Sequence, residues 1–166
     1  MTDLEQLTAA LTGLDAVQRC RAAEALSRLG IVARAAAVPL VQACEDEDPM
    51  VRCRAAAALE GLGAPLPADV EALAALVASR NADVGYWSAT LLGRLGPEAA
   101  AAVPALTWAL SGRLSLPVRE RAAWALGQIG TAAKPALKTL RRTAASEDVR
   151  LARLSQEVIE KIGGLG

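Results

Sequence analysis

The aromatic content of this 166-residue chain is three tryptophans, Trp87, Trp108 and Trp124, and one tyrosine, Tyr86, and the chain has no histidine. Without histidine the commonest general base and metal ligand are missing, so neither a Ser-His-Asp triad nor a Cys-His pair can form. Cys20, Cys44 and Cys53 lack Cys-x-x-Cys spacing, and alone they make a poor zinc site. They read as small buried thiols in a reducing compartment. No Gly-x-x-x-x-Gly-Lys loop is present to cradle phosphates. The run Glu45-Asp46-Glu47-Asp48 has the composition of a cation site. It directly precedes a helical stretch, however, where carboxylates offset the helix dipole. No catalytic residue, metal or cofactor is therefore expected. What is left is recognition chemistry, in which tryptophan and arginine supply most of the strong anchors.

The elements that position these residues are repeated. Val51-Arg-Cys-Arg-Ala-Ala-Ala-Ala-Leu-Glu-Gly-Leu-Gly63 is echoed at 18–30, 84–96, 118–130 and 151–163, and the closing glycines are 33, 33, 34 and 33 residues apart. A period of this size belongs to stacked supersecondary units. Within each phrase the apolar positions, such as Val118, Ala122, Ala125, Leu126 and Ile129, fall on one stripe of a helix (helix A). The glycine that follows suits the left-handed conformation of a helix end. A second apolar pattern, opening near Pro39, Pro104 and Pro135, predicts a helix B with proline in its first turn. Ten helices follow: a half-repeat over 1–14, repeats over 15–47, 48–80, 81–114 and 115–146, and a half-repeat over 147–166. They form one domain of all-α, α-solenoid class. In the last half-repeat Arg150, Arg153, Glu157, Glu160 and Lys161 supply a polar outer face.

The string Asp48-Pro-Met-Val-Arg52…Ala55-Ala56…Leu59…Leu62-Gly63, and still more Pro117-Val-Arg…Ala122-Ala123…Ala125-Leu-Gly-Gln-Ile-Gly130, resembles the first helix of a HEAT repeat. The bacterial variety known as phycobilisome-lyase HEAT-like is the nearest in pattern. The resemblance implies a scaffold that binds a protein or peptide on a concave surface lined by B helices. It also implies two alternatives: a bilin chromophore lyase or chaperone, and, ranked lower, a DNA-binding protein of the HEAT-like glycosylase kind. Fold likeness alone does not choose among them.

Equivalent positions within the chain separate packed slots from variable ones. Ala22-Ala23 recurs as Ala55-Ala56, Ser88-Ala89 and Ala122-Ala123, so both places are packed. Glu24, Ala57, Thr90 and Trp124 share a slot whose variation predicts exposure, and Arg21, Arg54, Trp87 and Arg121 share another. Trp87 and Trp124 are accordingly expected on the outer flanks of neighbouring A helices beside Arg121, with sealing of the seam between those helices as the other reading. In helix B the slot Val41, Leu73, Leu106 and Leu137 is expected in the core. Ala43, Ala75, Trp108 and Thr139 then point away from it. Trp108 would stand in a groove floored by Ala43, Ala68, Ala75, Ala101, Ala105 and Thr139, with Lys138 and Arg142 as basic support. The other reading of Trp108 is a packing residue.

Charge is divided along the chain. Up to Asp83 there are twelve acids and seven bases, and from Val84 onward six acids and eleven bases. Such asymmetry suits head-to-tail association of copies. A net charge of zero argues against nucleic acid as a partner, because binding the phosphate backbone needs several cationic contacts. No apolar run approaches the roughly 20 residues of a membrane span. The N-terminal Met-Thr-Asp-Leu-Glu lacks a basic region followed by an apolar stretch, which makes the cytoplasm the expected location.

Overall fold

The computed structural model describes residues 3–163; the first two and last three residues of the terminal half-repeats lie outside the described residues. It contains ten α-helices: α1 (Asp3–Ala10), α2 (Ala16–Leu29), α3 (Ala37–Ala43), α4 (Pro49–Gly61), α5 (Val70–Leu76), α6 (Ala82–Leu95), α7 (Val103–Leu110), α8 (Leu116–Ile129), α9 (Leu137–Ala144) and α10 (Val149–Gly163). There is no strand among the described residues. The fold is an α-solenoid, with A helices at even numbers and B helices at odd ones.

Each A helix starts on a side-chain cap. Asp15 accepts from the Val17 amide at 2.9 Å, Asp48 from Met50 at 2.7 Å, Asn81 from Asp83 at 2.9 Å and Asp148 from Leu151 at 2.8 Å. These oxygens satisfy amides that have no partner inside the helix. The start of α8 is the exception. Ser115 makes no side-chain cap bond, and the stretch between the buried Leu110 and Val118 is one residue longer than those between Cys44 and Val51 and between Val77 and Val84, with Gly112 at φ 116°. This loop accounts for the single step of 34.

Helix A ends at the repeated glycine. Gly30, Gly96 and Gly130 have φ of 53°, 67° and 78° with ψ of −127°, −134° and −133°. The positive φ agrees with expectation, but the strongly negative ψ lies outside the left-handed helical well, in a region open to glycine and closed to side chains. From the glycine the chain runs into a 3-10 turn, Gly30–Ala36, Gly96–Ala102 or Gly130–Ala136. Pro135 lies within the last of these turns and not, as expected, in the first turn of α9; Pro39 and Pro104 do lie within α3 and α7.

The chain divides into two compact units, residues 1–69 and 70–166. In the first, α1 packs on α2, α2 on α4 and α3 on α4. In the second, α6, α8 and α10 form one layer and α5, α7 and α9 the other, each B helix lying against the A helix that follows it. Alanines at the contact positions, among them Ala89, Ala122, Ala123 and Ala125, are wholly buried, as are Leu91, Leu92, Leu106, Leu110 and Leu126. Small side chains let the helices approach closely, and each buried leucine contributes about 1.5–3 kcal/mol. The exposed side of α10 carries Arg150, Arg153, Glu157, Glu160 and Lys161.

The arginine of the phrase ties α2 and α4 to the turn before each of them. Arg19 donates to the carbonyls of Gly13 and Leu14 at 2.9 and 3.1 Å, and Arg52 to those of Asp46 and Glu47 at 2.7 and 3.1 Å, with the same sequence offsets. Arg19 also grips Asp46 with two bonds, Nε to Oδ2 at 2.7 Å and Nη2 to Oδ1 at 2.9 Å. The Asp46 side chain is only 10% exposed. The acidic run is thus structural: Asp46 is an ion-pair partner and Asp48 a helix cap.

Hydrogen bonding to the Arg19 guanidinium holds the Asp46 carboxyl below the usual aspartate range, against the opposing effect of burial. A lowered pKa in the folded state stabilises the protein above the unfolded value, about 3.9, and that contribution fades as pH falls through the folded value. Asp46→Asn should therefore unfold at a lower temperature than the parent at neutral pH. The gap between their melting temperatures should close on acidification below pH ~4, as thermal unfolding followed by circular dichroism would show.

Candidate functional site

The B-helix face of unit 70–166 carries an exposed aromatic. Trp108 on α7 is 49% exposed. The buried leucines of the B helices, Leu40, Leu73, Leu106 and Leu140, are all 0% exposed, and they correct the helix B register. Leu137 is only partly buried and Thr139 is not the counterpart of Trp108. Counting from the closing glycines, the slot of Trp108 holds Gln42, Ala75 and Arg142, each of them exposed. Ala43, expected in the groove floor, is instead buried at 7% exposure. The register slipped because the 3-10 turn, invisible in the apolar pattern, takes up the residues around Pro135. Within unit 70–166 the outward stripe is thus Ala75, Trp108 and Arg142 on adjacent B helices, with Lys138 exposed one turn before Arg142.

The A-helix face differs from expectation. Trp87 is buried at 9% exposure and Thr90 at 4%, although both occupy slots whose variation predicted exposure; Trp124 is partly buried. The Trp87 ring meets Tyr86 edge to face, 5.5 Å between centroids, and Arg94 lies over it at 5.8 Å. Trp124 reaches from α8 onto α6, where a Cβ added at Gly93 would run into its six-membered ring. Arg21 and Ala57 in the same two slots are exposed as expected, so these slots hold both water-facing side chains and, at Trp87 and Thr90, buried ones. For Trp124 the structure bears out the seam-sealing reading.

Arg121 is held among these rings. Its guanidinium carbon sits 4.9 Å from the Tyr86 ring centre and 5.2 Å from that of Trp124, and Nη2 donates to the Tyr86 hydroxyl at 2.8 Å. Guanidinium on aromatic faces is an attractive arrangement that fixes the side chain. The residues bound a half-open cleft of about 450 Å³ between α6, α8 and α10, completed by Pro117, Glu120, Arg150, Arg153, Leu154 and Glu157. The structure thus brings Arg121 and Trp124 together as expected. It shows no contact of Arg121 with Trp87.

The cysteines are free. Cys44 is buried, Cys20 partly so, and Cys53 is exposed, so the expectation of buried thiols holds for one of three. Among the described residues no group of three or more cysteine, aspartate or glutamate side chains is placed to hold a metal ion. No helix among them is long and apolar enough to cross a membrane.

The sequence matches the HEAT repeat family over residues 4–90 and 70–156. The chain belongs to that family. No curated protein matches it. Among solved structures it is similar to the complex of CpcE and CpcF of phycocyanin lyase from Nostoc sp. PCC7120, at 23% identity and a TM-score of 0.70, covering 99% of this chain and 66% of that one. An engineered protein shares 24% identity at a TM-score of 0.64, with 96% of this chain and 47% of that chain covered. A designed armadillo repeat protein in complex with the peptide (KR)4 shares 16% identity at 0.65, covering 99% and 89%. At these identities the likeness is one of fold. The chain spans about half the length of the engineered protein and two thirds of that of the lyase chain.

The fit of Trp124 against Gly93 gives a direct test of the seam. Gly93→Ala should cost about 1–3 kcal/mol by overpacking. In a Trp124→Leu background the same change should be neutral or stabilising, because alanine is the better helix former. Urea denaturation of the four variants of this double-mutant cycle would measure the difference.

Proposed function

We propose that the chain is a non-catalytic scaffold that binds a protein or peptide partner on the B-helix face of unit 70–166. The observation that carries this reading is Trp108: a large aromatic, 49% exposed, between Ala75 and Arg142 in a chain otherwise poor in aromatics. Tryptophan and arginine are the residues most enriched among interface anchors. Lys138, Arg141 and Arg142, all exposed, favour a partner segment that pairs an apolar side chain with acidic residues. The armadillo structure, bound to a peptide that is itself basic, and the CpcE–CpcF complex, bound chain to chain, are examples of partner binding in similar folds. Free cysteines suit the reducing cytoplasm expected from the sequence.

The alternative, a bilin lyase or chaperone, draws support from the CpcE–CpcF likeness and from the open face of Trp108, on which a tetrapyrrole could stack. Mixing the protein with free bilin and recording the spectrum distinguishes the two; an unchanged absorption band sets the alternative aside.

For a partner recovered by affinity purification, Trp108→Ala should weaken binding by about 2 kcal/mol, measured by calorimetry. Arg142→Glu should weaken it further as salt is lowered. Unaltered affinity in Trp108→Ala would remove the B-helix face from the proposal.

A further inference from the structure

We infer that the cleft between α6, α8 and α10 is a second binding site, one for a small planar organic carboxylate. Its charge is the first ground. Five ionised side chains line it, Arg121, Arg150, Arg153, Glu120 and Glu157. The two glutamates are engaged, Glu120 by Arg150 at 3.3 Å and Glu157 by Arg153 at 3.7 Å. Arg121 has no carboxylate partner among the described residues; its one hydrogen bond goes to the neutral Tyr86 hydroxyl. A guanidinium carries five N–H donors, and one of them is used within the protein. The lining is one positive charge in excess, and that charge sits on the side chain the protein has fixed in place.

Preorganisation is the second ground. Most surface arginines give up rotamer freedom when they bind. Arg121 has already been ordered by two rings and a 2.8 Å hydrogen bond. A planar guanidinium matches a carboxylate through two parallel N–H···O bonds, a geometry that an ammonium cannot offer.

Shape and surface are the third. About 450 Å³ is in the range of small-molecule sites and exceeds what a lone carboxylate fills. Most of the exposed lining is polar, and Trp124, Tyr86, Pro117 and Leu154 supply a smaller apolar part beside the cation. The ligand that meets all three features is an anion on a flat apolar body, an aromatic or heteroaromatic acid. This site is independent of partner binding at Trp108, which lies on a B helix.

Benzoate is the probe, with benzyl alcohol as the uncharged analogue and acetate as the ringless one, each followed through the indole N–H resonance of Trp124. Benzoate should shift that resonance saturably, acetate should bind about tenfold more weakly for want of a ring, and benzyl alcohol should not saturate. Arg121→Gln should weaken benzoate about tenfold or more. Leu154→Trp, which fills the cleft from α10 and leaves Arg121 untouched, should abolish the shift and decides the matter if Arg121→Gln fails to fold by circular dichroism. Equal affinity for benzyl alcohol or acetate, no saturable response to benzoate, or full benzoate affinity in a folded variant would each overturn the inference.

Discussion

Helices of seven to fifteen residues, the whole range found in this chain, do not persist in water by themselves, because the cost of nucleating a helix is recovered only over longer segments. Every helix here therefore depends on the helices packed against it. The alanines at the contact positions let neighbouring axes come close, and the leucines beside them supply most of the buried apolar area. The position of each surface residue follows from that packing. Trp108 faces outward because Leu106 and Leu110 on the same short helix face inward, and Arg121 meets Tyr86 because α6 and α8 lie side by side.

The two faces of unit 70–166 use aromatic residues for different ends. On the A-helix side, Trp87, Trp124 and Tyr86 fill space between helices, and Tyr86 and Trp124 hold Arg121; most of their area contributes to stability. On the B-helix side, Trp108 gains little from the fold, since half of it stays in water. Such a side chain is free to serve recognition, for which tryptophan is well suited. Arg121, held by two rings and a hydroxyl with no carboxylate partner among the described residues, stands in the same relation to its cleft.

Local features of the fold were legible in the sequence, and features that depend on two distant residues were not. The period, the ten helices and the closing glycines each rest on a few consecutive residues, and so did the outward position of Trp108. The helix B register went astray at Leu137, and by one place at Val41, which is buried as expected, because a 3-10 turn has no apolar signature to mark its length. The burial of Trp87 and Thr90 was missed for another reason: a variable slot looks the same whether it faces water or a neighbour of compensating size. Gly93 and Trp124 are 31 positions apart, and only the structure shows that one makes room for the other. The grip of Arg19 on Asp46, across 27 residues, was hidden in the same way. The recurring arginine was legible as a pattern, and its partners were not.

The longer connection before α8 carries a lesson about history. Leu110 before it and Val118 after it keep their buried places despite the added residue, and the cost is confined to an uncapped Ser115 and a glycine at φ 116°. A one-codon insertion there is absorbed by the turn and does not propagate into the next repeat. Chains built in this way can drift in length at their turns while the packed slots are inherited unchanged, so duplication supplies new surface and the turns supply its variety.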